Sequence, residues 1–118
     1  MGRKSRLRSP PAAYRRGVKV ELLWFSGCPN WQETDARLRL ALPLAGVDTD
    51  VALVEVTSPE EAERLRFRGS PTVLLDGRDP FAAETDPVGL SCRVFRTPEG
   101  LRGAPTVEQL VSALSGLR

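Results

Sequence analysis

The sequence predicts a single α/β domain, ordered β-α-β-α-β-β-α, with helices on both faces of a four-stranded mixed sheet. Three observations carry that expectation. Strand-like and helix-like runs alternate along the chain. Two of the helical runs open on capping-box signatures. Two short crossovers imply parallel neighbours, and a turn after the third strand implies an antiparallel edge. With 118 residues, 41% of them hydrophobic, the chain can bury one core.

Each element has its own signal. Residues 18–25 alternate, with Val18, Val20, Leu22 and Trp24 opposite Lys19, Glu21, Leu23 and Phe25, and become apolar on both sides toward the end. That is a strand entering a covered sheet. Residues 30–42 carry Trp31, Leu38 and Leu42 at helical spacing, and Pro43 should end or kink that helix, with Gly46 in the turn. Residues 50–56 form the second strand. Ser58, Pro59 and Glu61 then supply an N-cap, a first helical position and a capping-box acid, for a short charged helix with a Glu60–Arg64 pair that ends by Gly69. The third strand centres on Val73, Leu74 and Leu75, and Asp76-Gly77 turns it. After a long polar loop at 78–90, residues 91–96 alternate and read as a fourth strand antiparallel to the third. Residues 97–105 read as a loop. Thr106 and Gln109 begin a C-terminal helix whose apolar face is Val107, Leu110, Val111, Leu114 and Leu117.

The totals narrow the chemistry. Histidine is absent, which removes the commonest general base and the commonest zinc ligand. The net charge of +2 hides an asymmetry: residues 1–19 hold seven basic side chains and no acid, whereas the rest holds ten basic and fifteen acidic ones. Residues 1–17 read as a disordered basic arm and 18–118 as the folded domain. Lacking aromatics beyond Tyr14, the arm reads as a solvated tail rather than a nucleic-acid tether. With no apolar run long enough to span a bilayer and no secretory leader, the expected location is the cytoplasm, where paired thiols are more often catalytic or metal-binding than structural.

Cys28 is the strongest candidate residue. It stands between the first strand and first helix, directly before Pro29, a residue suited to the first helical position. Cys28 would then be the N-cap, with its sulfur facing unpaired N–H groups that favour thiolate. A buried structural cysteine is the alternative.

The element order, with Cys28-Pro29 at a helix start and Ser70-Pro71-Thr72 at a strand start, resembles the thioredoxin fold over residues 18–117. The resemblance implies a cis Pro71 packed beside Cys28, with Ser70 and Thr72 offering backbone groups to an extended thiol substrate. Trp31 stands where thioredoxins carry their second cysteine, so exchange within one motif is excluded and the motif is similar to that of monothiol glutaredoxins. The blocks G-C-P-N-W, G-S-P-T-V-x-x-D-G-R-D and G-L-S-C-R look like those of small, uncharacterised bacterial thioredoxin-like proteins, some labelled alkylmercury lyase. That label brings Cys92 and a carboxylate, Asp76 or Asp79, into view beside Cys28.

Cys92 has two readings, a resolving thiol for Cys28 or a small strand residue. On the expected hairpin it would lie about four residues from the active end, roughly 13 Å at ~3.3 Å per residue, against a disulfide limit of ~7 Å, unless the 78–90 loop folds back. Trp31 could shield the thiol, stack on a ligand or pack in the core. Arg93 and Arg96 read as edge-strand solubilisers. The leading expectation is a monothiol thioredoxin-like redox protein with Cys28 as attacking thiolate. Its partner would be a protein or small-molecule thiol or disulfide, glutathione-like thiols included, with no cofactor, resident metal or membrane. The alternatives are a protein handling Cu(I) or Hg(II) through Cys28 and Cys92, and a non-enzymatic binding module on the same scaffold.

Overall fold

The alternating runs assemble around one central strand. In this computed structural model, which describes residues 17–83 and 86–117, the elements are β1 (Val20–Trp24), α1 (Trp31–Leu44), β2 (Val51–Glu55), α2 (Pro59–Leu65), β3 (Thr72–Leu75), β4 (Phe95–Thr97), β5 (Gly100–Arg102) and α3 (Val107–Ser115). Apart from Gly17, the expected basic arm lies outside the described residues.

β1 pairs in parallel with β2 and antiparallel with β3, giving a sheet of order β2-β1-β3. Its alternation feeds two cores. Val20 and Leu22 face α1 and α3, where they meet Leu38, Ala41, Val73, Leu75, Leu110 and Leu114. Leu23 faces the other way, onto Val56, Ala62 and Phe67 beneath α2. Each fully buried leucine of this kind contributes about 1.5–3 kcal/mol by leaving water.

The four-stranded sheet is not formed. β4 and β5 make a separate two-stranded antiparallel sheet, turning at Pro98-Glu99 inside what reads from sequence as a plain loop. The physical reason lies just upstream of β4. Gly89 N–H donates to the Phe67 carbonyl at 2.9 Å, Ser70 N–H to Ser91 at 2.7 Å and Arg93 N–H to Ser70 at 2.9 Å. Residues 89–93 therefore run parallel to 67–70, with Ser70 bridging Cys92, and the backbone groups meant for a β3 hairpin are already used. Gly69 permits the close approach. Its φ is +107°, and a Cβ there would lie 3.1 Å from the Arg93 Cβ and 3.2 Å from the Ser91 carbonyl oxygen.

The helix ends mostly follow their local chemistry. Ser58 Oγ accepts from Glu61 N–H at 3.1 Å, while the Glu61 carboxylate reaches back to Thr57 N–H and pairs with Arg64, so the expected Glu60–Arg64 pair is replaced. Thr106 and Gln109 make both halves of a capping box. Pro43 sits inside α1, which continues for one residue beyond it. Proline's missing N–H deprives the Arg39 carbonyl of its helical donor there, and the helix stops at once.

Candidate functional site

Ser70 is the junction on which the site is built. It is fully buried, and every polar group it has is occupied: its hydroxyl accepts from Phe25 N–H at 3.1 Å, while its amide and carbonyl bind residues 91 and 93. The Ser70–Pro71 peptide is cis. Thr72, also fully buried, donates its hydroxyl to the Gly69 carbonyl at 2.6 Å and accepts from Arg93 Nη1 at 3.4 Å. The edge expected to dock a substrate is thus filled by the chain's own 91–93 segment.

That packing delivers Cys92 to Cys28. The two form a disulfide, with Cα atoms 5.5 Å apart and a sequence separation of 64, and no described cysteine is free. The expected separation of about 13 Å fails because it assumed an antiparallel register with β3; the parallel bridge at Ser70 puts Cys92 beside the helix start instead. The two cysteines live in different surroundings. Cys28 is 0% exposed, whereas Cys92 is an exposed residue.

Cys28 is not the N-cap of α1. Asn30 holds that position in helical backbone geometry and makes no side-chain cap bond, so the helix opens two residues later than the Cys-Pro signal implies. Cys28 N–H is used by the Phe25 carbonyl at 3.0 Å, in the turn that ends β1. Its Sγ lies 3.6 Å from the Ser70 carbonyl oxygen, an acceptor that a thiol at this position can reach.

Trp31 stacks on Trp24, centroids 4.5 Å apart, and packs against the larger core. The stack pins the first turn of α1 to the end of β1 and so fixes the loop that carries Cys28.

Arg93 is no edge solubiliser. Its side chain is 7% exposed and forks onto Asp79, Nη1 to Oδ2 at 2.6 Å and Nη2 to Oδ1 at 3.2 Å, with Phe95 under the guanidinium at 4.7 Å. This buried bidentate pair ties the 78–90 loop to the segment bearing Cys92. Sequence reasoning missed it because an arginine in an alternating run looks solvated until its partner is known. Asp76, the other carboxylate considered, caps Lys19 N–H at 2.8 Å. Among the described residues, no three His, Cys, Asp or Glu side chains gather where a metal ion could sit. Arg96, as expected, is exposed.

A cleft of about 460 Å³ opens beside the disulfide, lined by Arg68, Asp86, Cys92, Arg93 and Arg96 among others. Cys28 does not line it.

No family model, curated protein or solved structure matches this chain. Among the described residues, no helix is long and apolar enough to cross a membrane.

Proposed function

We propose that this chain is a cytoplasmic thiol–disulfide exchange protein in which Cys28 and Cys92 are the redox pair. It cycles between a dithiol and an internal disulfide, and its partner is the thiol or disulfide of a protein or small molecule. The observation that carries this reading is the disulfide itself, which joins the loop before α1 to the 89–93 segment and has one buried end and one exposed end. Exposed disulfides are the exchangeable ones, and in a thiol-rich compartment a protein disulfide is usually catalytic or redox-sensing.

The exchange needs no cofactor. A thiolate attacks one sulfur, the internal S–S bond breaks as a mixed disulfide forms, and the departing sulfur takes a proton as a thiol. A second thiol resolves the mixed disulfide, so two electrons enter the protein and one external disulfide leaves.

The test uses the reduced full-length chain and hydroxyethyl disulfide. The wild type is expected to release two thiol equivalents per chain, and to react at least about ten times faster than a free cysteine peptide at the same pH. Neither single Cys→Ser variant should release a second equivalent, and Cys28→Ser, which keeps the exposed Cys92, should release one and retain the mixed disulfide. A wild type that reacts no faster than the peptide, and whose internal bond does not reopen in excess mercaptoethanol, would leave the bond a structural staple and overturn the proposal.

A further inference from the structure

We infer that the exchange partner is bonded at Cys92, not at Cys28, and that it is a thiol carrying negative charge. This rests on the redox pair proposed above and reverses the roles that the position of Cys28 suggests. Attack on a disulfide requires access to the sulfur being attacked. Cys28 is 0% exposed, with its Sγ 3.6 Å from the Ser70 carbonyl oxygen. Cys92 is exposed and lines the 460 Å³ cleft, which Cys28 does not touch.

The walls of that cleft give the charge of the partner. Three arginines, Arg68, Arg93 and Arg96, line it against one described carboxylate, Asp86. Arg93 is neutralised by Asp79. Arg68 donates Nη1 to the Ala83 carbonyl, and among the described residues neither Arg68 nor Arg96 is paired with a carboxylate. Asp86 is itself held by the Ala83 N–H at 2.7 Å. Two guanidinium groups that have no carboxylate partner among the described residues line the cleft with the exposed Cys92, and suit a low-molecular-weight thiol bearing a carboxylate.

In the reductive direction the small thiolate attacks Cys92 Sγ. A Cys92–thiol mixed disulfide forms, the internal bond breaks, and the electron pair leaves on Cys28 Sγ. Cys28 takes a proton from solvent and can donate it toward the Ser70 carbonyl 3.6 Å away. In the oxidative direction the Cys92 thiolate attacks the external disulfide, breaking its S–S bond, releasing one small thiol and forming a mixed disulfide; Cys28 then attacks Cys92 Sγ, closing the internal bond and releasing the second small thiol.

The experiment treats the oxidised full chain with mercaptopropionate, mercaptoethanol or cysteamine, which carry negative, no and positive charge. Each rate is divided by that thiol's rate with a small reference disulfide. Acid-quenched samples are mapped by peptide mass spectrometry for the residue carrying the adduct. The adduct is expected on the Cys92 peptide, with normalised rates in the order negative, neutral, positive. Arg96→Ala, at an exposed position, should lower the negative-to-neutral ratio about three-fold. An adduct on Cys28, or a rate order indifferent to charge, overturns this inference while leaving the redox pair intact. Absence of any adduct, with all three thiols no faster than on the reference disulfide, overturns the redox pair as well.

Discussion

The Cys28–Cys92 bond closes a loop of sequence separation 64, and its removal is a perturbation whose size follows from that length. In the chain-entropy treatment such a loop takes about 14 cal/mol/K out of the unfolded chain, or roughly 4 kcal/mol at room temperature. Spread over the unfolding entropy of a domain of this size, that corresponds to a Tm lower by about 15–20 °C. The folded state should change little. The 91–93 segment keeps its two backbone bonds to Ser70 and the Arg93–Asp79 pair without help from the sulfurs. The assay is urea unfolding followed by circular dichroism on the oxidised chain, the dithiothreitol-reduced chain and Cys92→Ser. Cys92 is the better residue to replace, because it is exposed and serine there leaves no cavity. Both altered forms should have midpoints lower by roughly 2–4 M urea. Equal midpoints in oxidised and reduced protein would mean that the two cysteines are not linked in the folded chain, and the reasoning from the parallel bridge at Ser70 would fail with it.

Three other perturbations probe the frame of the site. Asp79→Ala should destabilise the fold by about 3–5 kcal/mol in urea titration, since it strands a buried guanidinium, whereas combining it with Arg93→Met should recover most of that loss. Full additivity of the two changes would count against the pair. Gly69→Ala combines a φ of +107° with a Cβ pressed to 3.1 Å from Arg93, and should cost about 2 kcal/mol while shifting amide resonances of residues 89–93. A neutral Gly69→Ala would show that those residues do not lie against it. Thr106→Ala removes the acceptor for Gln109 N–H at 3.0 Å and should lower stability by about 1 kcal/mol; no change in midpoint would argue that the capping box is dispensable.

Local chemistry was legible, and long-range register was not. Ser58 and Thr106 announce their helices because a cap is decided within four residues. The two-sided apolar end of β1 is legible for a similar reason: it reports burial on both faces whatever the topology. The alternation through Ser91 and Arg96, by contrast, fits a parallel or an antiparallel neighbour equally well. What chooses is the set of bonds between residues 67–70 and 89–93, together with an Arg93–Asp79 pair that spans the intervening loop. Gly69 beside Ser70-Pro71 was the available clue, since a glycine ahead of a strand can mark close approach of another backbone. The Cys-Pro signal located the right loop and misjudged its geometry by two residues, because the chain makes a turn at Phe25 and Cys28 before the helix begins.

The most direct test of the redox pair is an equilibrium titration of the full chain in dithiothreitol buffers of graded potential, with free thiols counted by mass after acid trapping. A pair that exchanges in use should titrate as one two-electron step, both thiols vanishing together in monomeric protein. Its midpoint should lie above about −300 mV, the region below which disulfides resist a cellular thiol pool. A midpoint well below that value would make the bond a permanent staple. Two thiols that stay free under oxidising conditions would contradict the pairing itself.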